Sequence, residues 1–171
     1  MKFLSERNYR MHQEYLENLR CKFSIFEKTY SSLINKDLKG IVNADIPRNE
    51  KAISLDLKSE IIVHEVYFSS FDESGEVCEN VKKKYGSEAS FLYKLYESCM
   101  NNDGFLVVYL NRYKEPDYYV GREYKKIILK NKPLLALDLF EHSYFFDYGF
   151  DKKRYVQSAL SGLSLSKLKI T

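Results

Sequence analysis

Side chains at helical spacing dominate the first 72 residues. Two series carry the pattern: Phe3, Arg7, Met11, Tyr15, Leu19, Phe23, Phe26, Tyr30 and Ile34, and then Ile53, Leu57, Ile61, His64 and Phe68. The first series predicts a long amphipathic helix within residues 1–38, with or without one break, and the second predicts a helix over residues 48–72. Gly40 and Pro47 favour a turn between them, because glycine suits a helix end and proline a restart. The two helices are expected to form an antiparallel hairpin, which is the first predicted domain, residues 1–72.

The second half of the chain changes from helical to strand-like spacing. Residues 72–86 are polar and indicate a linker with space for one short helix. A predicted helix over residues 87–100 is followed by three apolar runs with strand character: GFLVVYL (104–110), DYYVGREY (117–124) and LLALDLF (134–140). Pro116 and Pro133 mark strand borders.

Two further segments complete the second predicted domain, residues 86–171. Residues 125–130 either extend the second strand or form a loop, and residues 144–165 predict a return to helix. The predicted order is therefore a helical hairpin, a helix, three strands and a final helix.

Composition excludes several functional classes. The chain has 171 residues, of which 44% are hydrophobic and 30% charged, as in soluble globular proteins, and its net charge of +3 is too small to indicate nucleic-acid binding. No apolar stretch reaches the length of a membrane span, and the first residues lack the apolar core of a signal peptide. Three cysteines without metal-ligand spacing favour a reducing compartment, so we expect a cytoplasmic protein, with mitochondria as the alternative.

An acidic residue at the end of an apolar strand is the first candidate for chemistry. Asp138 ends the third predicted strand, and a carboxylate buried there needs a partner. His142 follows four residues later, where it could be a second ligand for a transition metal. His64 lies on the apolar side of the second predicted helix, so docking of the hairpin on the sheet would bring three such groups together. The alternative is that each histidine is only structural.

Four segments resemble the iron/manganese superoxide dismutase family. DLFEHSYFFDYGFDKKRYV (138–156) resembles the family's C-terminal signature, in which Asp is followed three and four residues later by Glu and His. VHEVYF (63–68), HQEYLENL (12–19) and NDGFLVVYL (102–110) resemble its second helix, first helix and first strand. The segments occur in family order, so the likeness covers most of the chain, and the Asp-x-x-Glu-His block is its specific part.

The resemblance implies a fold, a cofactor and a reaction. The implied fold is α+β, with an N-terminal antiparallel α-helical hairpin followed by an α/β half with a three-stranded antiparallel sheet. The implied cofactor is one iron or manganese ion per chain, with superoxide as the substrate that is oxidised and reduced in turn. His64, Asp138 and His142 match metal ligands. Tyr15 matches the family's gateway tyrosine, and Glu141 matches the acid that bridges to a ligand histidine of a partner subunit, so the resemblance implies a homodimer.

The match fails at the family's first ligand histidine, which lies eight residues before the gateway tyrosine. Counting back from Tyr15 gives Arg7, whose guanidinium has no lone pair to offer a cation. Arg7 either pairs with Asp138 where the metal would be or extends to solvent from the first helical turn. His12 lies about 100° from that helix face and matches a family histidine that is not a ligand, so it is expected to be a poor substitute.

The family's glutamine beside the metal site comes from one of two positions, which here hold Glu60 and Asn101. A carboxylate at position 60 would favour the oxidised +3 ion, unless it points to solvent. At the family's dimer mouth a His–Tyr pair is replaced by Met11 and Phe145, which predicts a drier interface without an unpaired polar group.

The aromatic composition bears on the same site. The chain has 15 tyrosines, 11 phenylalanines and no tryptophan. Phe68, Phe105 and Phe140 occupy positions where the family has tryptophans around the metal. The expected wall of the site is therefore built from smaller rings without an indole N–H.

Two functions follow from the sequence, and both stay open. The first is a superoxide dismutase impaired by the loss of one histidine ligand. The second is a metal-free, non-catalytic protein of the dismutase fold with a structural or binding role, for example as a ribosome-associated or oligomer subunit. Neither requires a membrane, and nucleic acid is not an expected partner.

Overall fold

The computed structural model describes residues 3–71 and 78–169. Helix α1 spans Glu6–Thr29 and begins at Ser5, whose hydroxyl accepts a hydrogen bond from the Asn8 N–H. A 3₁₀ turn, Ser31–Leu33, and the short helix α2, Leu38–Val42, follow it. Of the two alternatives for residues 1–38, a helix with and without a break, the structure shows the one with a break.

Helix α3 spans Arg48–Ser69 and packs along α1. Their shared core lies between α1, α2 and α3 and consists of Leu16, Leu19, Phe23, Leu33, Ile41, Ala44 and Ile61. The predicted helical hairpin is confirmed.

The buried face of α1 differs from the predicted face over its first turns. The buried positions are Asn8, His12, Leu16, Leu19 and Phe23, whereas Arg7, Met11 and Tyr15 are exposed. The predicted and observed faces meet only from Leu19 onward, so the predicted face was wrong by one residue in the N-terminal half of the helix. The cause is polar docking: Asn8 turns inward and donates to the Ser143 carbonyl at 2.9 Å and to Asp147 Oδ2 at 3.1 Å.

The second half contains the predicted sheet, which is antiparallel. Its strands are β1, Phe105–Leu110, β2, Pro116–Gly121, and β3, Pro133–Asp138, in the spatial order β2-β1-β3. Phe105 pairs with Gly121 on one side and with Asp138 on the other. This register places the end of β3 beside the beginning of the central strand.

Helices surround the sheet. Helix α4, Glu79–Tyr85, lies in the described part of the predicted linker, since residues 72–77 are outside the described residues, and α5 spans Glu88–Asn101. The prediction of a strand extension or loop over residues 125–130 was wrong. Helix α6, Tyr124–Ile128, forms there because Tyr124 and Ile128, four residues apart, are both buried against the sheet.

The final predicted helix is divided. A 3₁₀ turn, Glu141–Ser143, leads into α7, Phe145–Tyr148, and then α8, Lys152–Ser161, and a second 3₁₀ turn, Leu165–Leu168, follow. Gly149 separates α7 from α8 with φ of 57°, a conformation that glycine adopts without strain. In the part of the chain that the structure describes, no helix has the length and apolar character needed to cross a membrane.

Candidate metal centre

Asp138 is fully buried at the end of β3. Its Oδ1 accepts a hydrogen bond from the Phe140 N–H at 2.9 Å. Its backbone carbonyl accepts from the Tyr155 hydroxyl at 2.7 Å and from the Ser143 hydroxyl at 3.2 Å. These bonds fix the strand end and leave Oδ2 without a hydrogen-bond partner among the described residues.

His142 lies in the 3₁₀ turn that follows β3. Its Nε2 is 3.4 Å from Asp138 Oδ2, and its ring stacks on Phe140 with 5.8 Å between centroids and 13° between planes. The close approach of the Asp138 carboxylate raises the pKa of His142. The His142 side chain is 63% exposed, so the site reaches the surface at this residue.

His12 reaches the same carboxylate from α1. Its Nδ1–H donates to the Asn8 carbonyl at 2.9 Å, and its Nε2 lies 3.8 Å from Asp138 Oδ2. A carbonyl can only accept, so this bond leaves the lone pair of neutral His12 on Nε2. Burial lowers the pKa of His12, which favours the neutral, metal-ligating form.

His64 has the same arrangement on α3. Its Nδ1–H donates to the Glu60 carbonyl at 2.7 Å, and its buried Nε2 has no hydrogen-bond partner among the described residues. The ring lies against Tyr15 and Phe105, with centroid distances of 5.2 and 5.3 Å.

These four residues pass a chemical test for a metal site. The ligand atoms of His12, Asp138 and His142 lie within 4.8 Å of one another, and His64 borders the same cavity as Asp138 and His142. Three buried lone-pair atoms are unpaired there, Nε2 of His12 and of His64 and Oδ2 of Asp138. Buried unpaired polar atoms are costly, and imidazole nitrogens with a carboxylate oxygen suit iron and manganese. The residues therefore fit a transition metal ion.

The structure separates Arg7 from this cluster. Arg7 is exposed, and its guanidinium carbon lies 5.0 Å from the centroid of the Phe146 ring. His12, rather than Arg7, lies beside Asp138. Of the two alternatives for Arg7, extension to solvent is therefore the one observed, and the expected poor placement of His12 is corrected. Asn8, four residues before His12, supplies the inward anchor that turns this helix face to the site.

Tyr15 and Glu60 meet at the edge of a cavity of about 300 Å³ next to the cluster. The Tyr15 hydroxyl donates to Glu60 Oε2 at 2.8 Å. Burial, with the hydrogen bond and charge of Glu60, raises the pKa of Tyr15 to about 12. Asn101 instead lines a separate cavity, which none of the histidines borders. Of the two positions matched to the family's glutamine, only Glu60 therefore lies at the candidate site.

Phenylalanine rings form part of the cavity wall. Phe105 and Phe140 both border the cavity and lie 5.7 Å apart between centroids. Phe68 packs in the hairpin against Tyr9 and Tyr67. The expected wall of smaller rings therefore includes two of its three predicted members.

Sequence reasoning missed the contribution of the segment around α6. Tyr124 is 4% exposed, borders the cavity and meets Phe105 edge-on at 4.9 Å between centroids. Arg122 and Lys125 also border this cavity. The helical spacing of Tyr124 and Ile128 is a signal that could have revealed the segment.

A second cavity, of about 410 Å³, borders the other side of Tyr15 and His142. It runs along the exposed face of α1, where Met11, Glu14 and Asn18 line it. The cluster therefore borders two cavities with different linings.

Known proteins match this chain along most of its length. The family described as iron/manganese superoxide dismutases, C-terminal domain, matches residues 73–169. The chain is 21% identical over 162 residues to a chloroplastic iron superoxide dismutase 3 of Arabidopsis thaliana, with 89% of this chain and 60% of the relative covered. It is 25% identical over 158 residues to an Mn/Fe superoxide dismutase of Rickettsia typhi, with 88% and 73% covered. The chain thus spans less than two thirds of the Arabidopsis relative. With more than half of its residues matched, the chain belongs to the iron/manganese superoxide dismutase family.

Proposed function

We propose that the protein is a superoxide dismutase that holds one iron or manganese ion through His12, His64, Asp138 and His142. The observation that carries the proposal is the group of three buried, unpaired donor atoms on His12, His64 and Asp138. The names of the relatives support the choice of metal and substrate. When bound, the ion supplies the electron exchange that oxidises one superoxide and reduces another.

The chain's own residues position the donors and hold a proton. The carbonyls of Asn8 and Glu60 orient the rings of His12 and His64, and the bond from the Phe140 N–H orients Asp138. Tyr15 remains protonated at neutral pH, so its hydroxyl holds a proton at the boundary of the two cavities.

The competing proposal, a metal-free protein, drew its support from the missing histidine at position 7. His12 removes that argument, because its Nε2 lies beside Asp138. The dismutase function is therefore the one that the geometry supports.

A homodimer is part of the same proposal. The side chains of Phe145, Phe146 and Phe150 are 42%, 49% and 83% exposed and contact one another at this end of the chain. Large exposed apolar groups mark interaction surfaces, and the exposed ligand His142 lies in the turn just before them. Glu141, beside His142, supplies the bridge that the family resemblance implies. Sedimentation of the wild type and of Glu141→Gln tests this: we expect a dimer that the variant weakens, and a wild-type monomer would contradict it.

The decisive experiment is metal loading. The purified protein is incubated with Fe(II) or Mn(II), freed of excess ion, and its metal content and superoxide-scavenging rate are measured. We expect about one ion per chain, and His64→Ala should lose it, because removing a ligand leaves too few donors. Loading below about a tenth of an ion per chain with either metal would overturn the proposal.

A further inference from the structure

We propose that Ser70 is a positioning residue, which sets the distance between His64 on α3 and Asp138 on β3 by joining these two elements through its hydroxyl. That this distance serves a metal ion rests on the proposed function. The joint itself is a property of the metal-free chain.

Ser70 follows the last residue of α3 and is fully buried. Its hydroxyl donates to the Val66 carbonyl at 2.7 Å, in the last turn of the helix, and accepts from the Ala136 N–H of β3 at 2.8 Å. Its own carbonyl accepts from the Ser164 N–H at 2.9 Å. One side chain therefore joins the end of the helix to the middle of a strand.

The bond from Ala136 is one that the sheet does not supply. In the strand order β2-β1-β3, β3 lies at an edge, with β1 on one side only. Ala136 is fully buried, and its N–H is directed to Ser70 rather than to β1. A buried N–H without an acceptor is costly, so the Ser70 hydroxyl determines where the end of α3 lies against β3.

Both candidate donors lie close to this joint. His64 is six residues before Ser70, about 9 Å along a helix, and Asp138 is two residues after Ala136, about 7 Å along a strand. The His64 ring moves with α3, because its Nδ1–H donates to the Glu60 carbonyl of the same helix. A shift of α3 along β3 would therefore change the distance from His64 to Asp138 directly.

His64 is the donor for which this distance matters most. The ligand atoms of His12, Asp138 and His142 lie within 4.8 Å of one another, whereas His64 borders the same cavity without belonging to that group. Apolar packing of α3 on the sheet is non-directional and tolerates sliding, but a hydrogen bond is directional. The Ser70 hydroxyl thus supplies the register that apolar contacts leave open.

The test is NMR of the His64 ring signals in the metal-free protein, assigned with His64→Gln. The His64 ring lies edge-on to Phe105 of β1, with 5.3 Å between centroids, so its signals report its place relative to the sheet. We expect Ser70→Ala to shift these signals. Ser70→Cys keeps a weak acceptor of similar size and should shift them in the same direction by less, which decides the matter if Ser70→Ala does not fold.

Ser69→Ala is the matched control. Ser69 is exposed, and its hydroxyl donates to the same Val66 carbonyl at 3.0 Å. The control should leave the His64 signals at their wild-type positions. In protein that loads metal, chelator competition should show affinity falling by about tenfold in Ser70→Ala and by less than about twofold in Ser69→Ala.

Three results would overturn the proposal. They are unchanged His64 signals in the Ser70 variants, equal shifts in Ser69→Ala, and wild-type metal affinity in a folded Ser70→Ala protein. The outcome is separable from the proposed function, because a wild type that binds no metal defeats that function while the metal-free His64 signals still decide the role of Ser70.

Discussion

The candidate metal centre has a sheet side and a helix side, and they are built differently. On the sheet side, Asp138 and His142 come from one segment of five residues, and Asp138 is fixed by bonds from the neighbouring Phe140 and Ser143 and from Tyr155 of α8. On the helix side, His12 and His64 lie on two helices, and each ring is oriented by a carbonyl of its own helix. The sheet side depends on local structure, whereas the helix side depends on how α1 docks. Half of the candidate donors therefore come from one local segment, and the other half are brought together by tertiary packing.

Removing the carboxylate of the sheet side should have the largest effect. Asp138→Asn keeps an oxygen for the Phe140 N–H but removes the negative charge between His12 and His142. We expect metal affinity, measured by competition with a chelator, to fall by more than about tenfold. Asp103→Asn, which removes an exposed carboxylate paired with Lys152, is the control and should bind metal as the wild type does.

The helix side is tested by comparing two positions on α1. His12→Gln should lower metal affinity by about tenfold or more, whereas Arg7→Gln should change it by less than about twofold, because only His12 contacts Asp138. An equal loss of metal affinity in both variants, or a loss in Arg7→Gln alone, would show that α1 turns its Arg7 face toward Asp138.

Docking of α1 should respond to pH through Asp147. This carboxylate accepts from the Ser5 N–H at 2.8 Å and from Asn8 Nδ2 at 3.1 Å. Burial opposes ionisation, but these hydrogen bonds hold the pKa of Asp147 below its ordinary value of 3.8. We expect Asp147→Asn to lower the free energy of unfolding by about 1 kcal/mol at neutral pH, measured in urea.

The sign of the pH effect follows from the lowered pKa. The carboxylate stabilises the folded chain above its ordinary pKa, and that contribution is lost as pH falls through the lower folded-state pKa. The difference in the free energy of unfolding between wild type and Asp147→Asn should therefore become smaller below about pH 3.8. A difference in unfolding free energy that stays constant from pH 7 to pH 3 would contradict this role of the Asp147 carboxylate. Asp45→Asn, at an exposed position, serves as the control.

The smallest expected effect lies between the two sides, at the Tyr15–Glu60 hydrogen bond. Burial is the main reason for the Tyr15 pKa of about 12, and Glu60 adds to it. Glu60→Gln should lower the pKa of Tyr15 while leaving it above the ordinary value, as measured by NMR of ¹³C-labelled tyrosine with Tyr15→Phe for assignment. An unchanged midpoint of the Tyr15 titration in Glu60→Gln would show that Glu60 does not act on this hydroxyl.

Sequence reasoning found the sheet side because its signals are local. The apolar run ending at Asp138 and the four-residue spacing to His142 are visible in a single segment, and the order of helices and strands follows from changes in period. The family resemblance added the antiparallel sheet.

The helix side was predicted incompletely because apolar spacing does not determine which face of α1 is buried. Counting apolar residues placed Met11 and Tyr15 inward, although the polar residues Asn8 and His12 are the buried ones. A buried polar face depends on partners far along the chain, here Ser143 and Asp147, which no local pattern reveals. Helix α6 is a different case, because the four-residue spacing of its buried residues Tyr124 and Ile128 is a local signal.

The orientation of His12 by the carbonyl four residues before it has a consequence for how such a site can change. An α-helix offers a backbone carbonyl at every position, so an imidazole moved along the helix finds its orienting acceptor without a second substitution. A histidine held in this way can change its position on the helix and still find an orienting carbonyl. The chain could exchange one helix position for another while the other three donors stayed in place, which makes the histidine on α1 the part of the centre that is easiest to relocate, in natural divergence or by design.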